Sequence, residues 1–402
     1  MPNSISRRTL IELGLAGASA AIAGTAIGQP PPAPAPEGPP LPDSEKIGFA
    51  VVGLGKLSQG QIIPGLKKAH GAKLVALVSG HPDKARRIAA EQGLPADAIY
   101  SYEDYDRIAK DPRIQVVYIV LPNSMHADYT IRALKAGKHV LCEKPMATSI
   151  ADCEAMIAAA RAADRKLMIA YRCHYEPLNL EVMRRVRSGA MGKPRMVATN
   201  MGRQSDLGEP SDAWRLDGKM SGGGALADMG IYGVNASRYI LAEEPVEVRA
   251  WAQTDRSDPR FKTTEDLIAW QFRFPSGAFA NGSTSFSYQA TMAFQVFCEH
   301  GKMTAEPGAF YGGNRLTIND AAGEHAPTFP ETDQFAREMD WMADVVRGKA
   351  PLVSPGEEGM QDMRLMHAIL ESVEKGGAPV RTDWGYKRAY DPAVVVDVPT
   401  PV

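Results

Sequence analysis

Cysteine is scarce in this chain and unpaired in its spacing. Cys142, Cys153, Cys173 and Cys298 are the four cysteines, and no short Cys-x-x-Cys repeat links them, so neither a zinc site nor a disulfide framework is indicated. They read as buried thiols, with a disulfide left open only if the chain is exported. Net charge is equally slight. The 45 Lys and Arg against 47 Asp and Glu leave a formal −2, which removes any general electrostatic case for nucleic acid. No membrane anchor is expected, because the nearest approach to an apolar span, Ser6 to Ile27, is short, rich in small residues and interrupted by Glu12. What remains is a composition of 44% hydrophobic and 23% charged residues over 402 positions, enough for two soluble globular domains.

The first residues carry a different signal. Ser6-Arg7-Arg8-Thr9-Leu10-Ile11, a weak apolar region and small residues such as Ala21-Ile22-Ala23 read as a Tat export signal over residues 1–28. The Tat machinery is then a partner, and the location is periplasmic. That route carries folded proteins, so a bound nucleotide travels with the chain and has to be regenerated in place. Residues 29–44 form a Pro-rich arm, with eight prolines between Gln29 and Pro42. Such a segment favours extended polyproline II and reads as a linker or as an arm laid over another surface.

The rest is organised around Ile47 to Gln59. An apolar run ends in Gly53-Leu54-Gly55 and passes through Lys56 and Leu57 into a segment of helical character. A parallel strand delivers a dinucleotide pyrophosphate to a helix N-terminus in this way, Gly53 permitting the tight turn and Gly55 the close approach. A third glycine is replaced by Ser58. Strand and helix patterns alternate as far as Ala170, which predicts an α/β doubly wound parallel sheet over residues 45–170. Its second strand ends Val78-Ser79-Gly80 without the carboxylate that holds an NAD ribose, and Lys84, Arg86 and Arg87 follow. A small hydroxyl with nearby cations suits the 2′-phosphate of NADP. The loops Leu121-Pro122-Asn123-Ser124-Met125-His126 and Glu143-Lys144-Pro145 should line the same crevice, and the Lys-Pro step admits a cis bond that would aim the lysine inward. On spacing alone, however, Glu143 and Lys144 are an ordinary surface pair.

Over residues 171–402 the pattern changes. Ile268, Trp270, Phe272 and Phe274 alternate with Ala269, Gln271 and Arg273, and several similar runs predict an α+β domain with a large, mostly antiparallel sheet. One face should pack on helices, the other on a second copy as a dimer or tetramer. Before the sheet, Ser221-Gly222-Gly223-Gly224 leads into a helix expected over 225–241, on which Asp228 and Tyr232 share a face. Spacing alone makes them a dipole partner and a packing residue.

At these residues the chain resembles the family of glucose-fructose oxidoreductases, inositol dehydrogenases and their relatives, the Gfo/Idh/MocA oxidoreductases. The likeness is carried by Gly53-x-Gly55, Pro122-Asn123-x-x-His126, Glu143-Lys144-Pro145 and Asp228-x-x-x-Tyr232. Within the family it leans to the periplasmic NADP-containing members, through Tyr171-Arg172-Cys173-His174-Tyr175, Trp214-Arg215-Leu216, residues 354–362 and residues 382–386. The resemblance implies tightly bound, non-exchanging NADP(H), monosaccharide substrates, and oxidation of an aldose such as glucose to its lactone with reduction of a second sugar, fructose or another aldose. It implies that Lys144, Asp228 and Tyr232 surround the sugar, Tyr232 exchanging its proton and the Lys144 ammonium favouring the phenolate. It also places Ser79, Lys84, Arg86 and Tyr102 at the 2′-phosphate, Arg172, Trp214 and Arg215 over the cofactor, and Tyr311 at the nicotinamide side. Ser58 and residues 205–213 and 217–219 depart from the relatives. Two rivals are an exported NAD-dependent glycosidase, disfavoured by the missing carboxylate at Ser79, and a non-catalytic nucleotide binder, disfavoured by the retained Lys144, Asp228 and Tyr232.

Overall fold

A computed structural model describes residues 39–396. The expected export signal and most of the Pro-rich arm lie outside the described residues. The first sheet contains β1 (Ile47–Val52), β2 (Ala72–Val78), β3 (Ile99–Tyr100), β4 (Val116–Ile119), β5 (His139–Glu143) and β6 (Leu167–Ala170), in the order β3-β2-β1-β4-β5-β6. Every neighbouring pair is parallel. Each residue of β1 is buried, which is what an apolar run covered by helices on both faces requires. Strand order reverses between β1 and β4, so a crevice opens there at the carboxyl ends of the strands.

The second sheet contains β7 (Pro194–Gln204), β8 (Glu247–Gln253), β9 (Leu267–Arg273), β10 (Phe279–Ser285), β11 (Ser287–Cys298), β12 (Gly301–Ala305), β13 (Leu316–Asp320), β14 (Gly323–His325) and β15 (Val380–Arg381). Its order is β14-β13-β12-β11-β7-β10-β9-β8-β15. It is antiparallel except where β10 runs parallel to β7. In β9 the expected alternation holds, with Ile268, Trp270 and Phe272 buried and Ala269, Gln271 and Arg273 exposed.

The helix expected over 225–241 is two pieces. One wide π-helical turn, Leu226–Gly230, precedes an α-helix, Ile231–Leu241. Its start is held by Glu265, whose Oε1 accepts the amide N–H groups of Gly224 and Leu226 at 2.7 and 3.0 Å. Two late helices, Gln334–Val346 and Gly356–Glu374, return to the first sheet. The second can approach closely because Gly356 and Gly359 carry no side chain. A Cβ there would lie 2.8 Å from Ile157 and 2.9 Å from Ile169 and Met146. Among the described residues no helix is long and apolar enough to cross a membrane.

Candidate active site

The phosphate turn is shaped as a ligand cradle. Gly53 has φ of 91°, and a Cβ there would meet the Val120 carbonyl at 2.3 Å, so only glycine fits. At Gly55 an added Cβ would meet nothing within 4 Å, so the backbone faces open space where a pyrophosphate fits. Ser58 explains why no third glycine is needed: its buried hydroxyl donates to the Gly53 carbonyl at 2.5 Å and closes the turn. Lys56 is exposed and lies 3.6 Å from Glu209, while Leu57 is half-buried. At the end of β2, Ser79 is buried and its hydroxyl accepts the His81 amide N–H at 3.1 Å. The Tyr102 ring covers Gly80 so closely that a Cβ would lie 2.9 Å from it. Lys84 is half-buried, and Arg86 is exposed beside Asp83. The residues present therefore fit a dinucleotide.

Two loops close the crevice and are tied to each other. Leu121 is buried and Pro122 half-buried; Asn123 donates to the Ser221 carbonyl at 2.8 Å. His126 is fully buried, with Nε2 2.9 Å from the Leu121 carbonyl and Nδ1 2.9 Å from the Pro145 carbonyl. Burial pushes its pKa down, against the pull of those carbonyls. It joins the loops from behind rather than facing the crevice. The Lys144-Pro145 bond is cis.

Lys144, Asp228 and Tyr232 converge. The Lys144 ammonium donates to the Asp228 backbone carbonyl at 2.8 Å, lies 4.0 Å from the Asp228 carboxylate, and sits 4.5 Å from the Tyr232 ring centroid. Burial lowers the Lys144 pKa, while Asp228 and Glu143 raise it. Asp228 accepts from Arg215 Nε at 3.1 Å and Arg203 Nη2 at 3.3 Å. Burial opposes its ionisation, but Arg215, Lys144 and Arg203 together hold it well below the usual carboxylate range. Arg215 stacks on Trp214 at 4.4 Å, and Arg203 forms a two-pronged pair with Asp212 at 2.7 and 2.9 Å.

Tyr232 requires a correction. Its phenol is pushed up by burial, and the group that opposes this is the Arg172 guanidinium. The Lys144 ammonium, expected to favour the phenolate, donates one N–H to the Asp228 carbonyl and lies 4.5 Å from the centre of the Tyr232 ring, and it is not among the groups that shift the phenol. Arg172 is buried between the rings of Tyr232 and Tyr311, 4.9 and 4.7 Å from their centroids. It donates to Gln334 at 2.6 Å and to the Ala309 carbonyl at 2.7 Å, and its Nε has no partner among the described residues. Tyr311 itself is half exposed. Reading the sequence missed Arg203, Asp212, Glu265 and Gln334. None belongs to a short motif, and each reaches the site only through tertiary packing.

Residues 47–171 match a model of the oxidoreductase family with an NAD-binding Rossmann fold, and residues 179–304 match the GFO/IDH/MocA C-terminal domain. The chain belongs to the Gfo/Idh/MocA oxidoreductase family. It is 31% identical to a D-xylose 1-dehydrogenase [NADP(+)] of Haloarcula marismortui over 82% of this chain and 91% of that one. A crystal structure of an aldose-aldose oxidoreductase from Caulobacter crescentus, complexed with glycerol, is 39% identical, with a TM-score of 0.80 over 84% of this chain and 99% of that one. Levoglucosan dehydrogenase, at 21% identity and a TM-score of 0.73 over 84% of this chain and 100% of that one, shares the fold. The expected leaning toward glucose-fructose oxidoreductase is narrower than these relatives, which are named for xylose oxidation and for aldose-aldose transfer.

Proposed function

We propose that this protein is an NADP(H)-dependent sugar oxidoreductase that oxidises an aldose at its anomeric carbon to the lactone and reduces a second sugar. The observation that carries the reading is the convergence of Lys144, Asp228 and Tyr232 beside the crevice. Bound nicotinamide supplies the hydride acceptor and, once reduced, the donor. The chain's own residues handle the proton and the sugar. Tyr232, as phenolate, takes the anomeric hydroxyl proton while the C1–H electron pair leaves as hydride and the C=O of the lactone forms. Arg172 is the cation that favours that phenolate. Lys144 has N–H groups left to donate to a sugar oxygen, and Asp228, kept ionised by arginines, accepts from sugar hydroxyls. In the second half the phenol returns its proton to the carbonyl oxygen of the acceptor.

The acceptor is more economically a second aldose than fructose, given the 39% identical aldose-aldose enzyme. Glucose is the donor to try first. The absence of a carboxylate at Ser79 supports NADP over NAD. Tat export to the periplasm and a tightly held cofactor rest on residues 1–28 and the logic of export with cargo. Self-association as a dimer or tetramer rests on the outer face of the second sheet, where Trp251 is 57% and Phe279 40% exposed. Purified protein given glucose, without added nucleotide, should show a nicotinamide absorbance change, and a second aldose should reverse it. Protein that carries no nucleotide after mild purification would discard the tight-binding part. No nicotinamide absorbance change with any aldose, from bound nucleotide or from NADP+ supplied to nucleotide-free protein, would discard the activity.

A further inference from the structure

Glu338 lies outside every motif discussed so far. It is carried by the helix Gln334–Val346 and is fully buried behind the first sheet. Its Oε2 lies 3.3 Å from the hydroxyl of Tyr118 on β4, and that same hydroxyl lies 2.8 Å from Oε1 of Glu143 at the end of β5. Its Oε1 has no partner among the described residues. Glu143 Oε2 in turn accepts the amide N–H of Lys144 at 3.3 Å.

Counting protons constrains this trio. A phenol donates one hydrogen bond. With both carboxyls ionised, one of them would face only the lone pairs of the phenol oxygen, and two like charges would share a buried site. One added proton removes both problems. A neutral carboxylic acid then donates to the phenol oxygen, and the phenol donates to the remaining carboxylate. The surroundings say which is which. The shorter contact runs to Glu143, which also accepts from the Lys144 amide and has the Lys144 and Arg172 cations nearby. Among the described residues Glu338 faces the Arg172 cation, and otherwise Glu143, the phenols of Tyr118 and Tyr175 and the thiol of Cys173. Burial first, then the Glu143 charge, push the Glu338 carboxyl well above the ordinary range, whereas burial also raises Glu143 but is opposed there by Lys144, the Tyr118 hydroxyl and Arg172.

We propose that Glu338 is a neutral acid heading a directed chain, Glu338 to Tyr118 to Glu143, and that it acts as a positioning residue that keeps Glu143 ionised beneath the Lys144 loop. The consequence reaches the site. Burial disfavours the Lys144 ammonium, and Glu143 is one of two carboxylates that oppose this. A chain pointing the other way would put the proton on Glu143 and leave Asp228, already shared between two arginines, to hold the lysine charge alone.

Infrared spectroscopy of the purified full chain, with the nucleotide it carries, tests the proton directly. At about pH 8, where ordinary glutamates with pKa about 4.3 are ionised, the wild type should retain a carboxylic-acid C=O stretch. Glu338→Gln, which keeps the shape, should abolish it, and Tyr118→Phe should shift it by removing the acceptor. A band that survives Glu338→Gln, or that is unmoved by Tyr118→Phe, overturns the proposal. A kinetic arm rests on the sugar-oxidising reading. Tyr118→Phe removes a bond that favours ionised Glu143, so kcat/KM should fall more on the acid limb of its pH profile than on the alkaline limb, roughly tenfold at the acid end. A loss equal at every pH means simple structural damage and counts against the proposal. The infrared arm needs no substrate, so it still decides if the protein proves not to act on sugars.

Discussion

The segment from Leu226 to Leu241 carries a charged cluster at each end, and the two are built in opposite ways. Toward its start, Asp228 and Tyr232 meet Lys144, Arg172, Arg203 and Arg215, with Asp228 still 15% and Lys144 12% exposed. Toward its end, Arg238 is wholly buried. It pairs with Glu244 at 2.8 and 2.9 Å, with Glu358 at 3.0 Å and with Asp362. Arg388 and the Tyr386 hydroxyl add to Glu358, and the Tyr171 hydroxyl and Asn235 add to Asp362. The second cluster commits every guanidinium nitrogen of its arginine to a carboxylate. The first keeps an Arg172 nitrogen and ammonium N–H groups uncommitted, beside an open crevice. Burial and charge are common to both; uncommitted valence is what separates a reacting site from a clasp.

The sharpest way to break that contrast is to delete one member of each. Lys144→Ala should lower kcat by about 10²–10³-fold, the range for losing one preorganised donor at a reacting oxygen, while the melting temperature moves little and nucleotide stays bound. Steady-state rates with glucose, alongside thermal unfolding, would show it. Full activity in that variant would return Lys144 to the role of a surface charge. Arg238→Met should do the reverse. Removing Arg238 leaves Asp362 buried without its cation and Glu358 with Arg388 alone, a loss of about 3–5 kcal/mol in a denaturant titration, with kcat per folded molecule unchanged. Equal loss of rate and stability in both variants would erase the distinction.

A third prediction follows from His174, which belongs to the clasp. It is fully buried, its Nε2 meets Asn235 Oδ1 at 3.0 Å, and burial pushes its pKa down from 6.5 to about 4. The folded state therefore prefers the neutral ring. Its contribution is fully present above about pH 6.5 and is lost as pH falls toward about 4, the interval amounting to at most about 3 kcal/mol. Urea midpoints measured across that window should fall with acidity, and His174→Asn, which keeps a donor for Asn235, should flatten the slope. An unchanged slope would show that other groups set the acid limit.

The same contrast explains what could be read from the chain in advance. The parallel sheet was legible because strands covered on both faces are near-continuous apolar runs, as in Ile47–Val52. Lys144 was expected in the site only through the family resemblance, since on spacing alone Glu143 and Lys144 are an ordinary surface pair. Arg203, Gln334 and Glu338 were not legible, since one polar residue in an ordinary strand or helix pattern carries no local mark; only the folded neighbours make it special. The wide turn at Leu226–Gly230 was hidden for a related reason. Glu265, nearly forty positions along the chain, is what holds its first amides. The direction of help given to Tyr232 was misread for want of geometry: both cations lie against its ring, and only the folded neighbours show that Arg172 is the one opposing burial at the phenol.

The smallest effect is expected at the turn itself, where Ser58 stands between the two kinds of construction. Its hydroxyl is committed, to the Gly53 carbonyl at 2.5 Å, yet it supports a loop that has to stay open at Gly55. Ser58→Ala keeps the Cβ and loses one buried hydrogen bond, so stability should drop by about 1 kcal/mol. Ser58→Gly, although it restores the usual glycine pattern, should cost about 1 kcal/mol more, because glycine is disfavoured in the helical turn Ser58–Ile62 that follows. NADPH release, followed by its fluorescence, should quicken in the same order, a few-fold at each step. If the glycine variant instead binds more tightly than the serine one, the hydroxyl is not a clasp for the turn, and the departure from the family pattern at this position needs another cause.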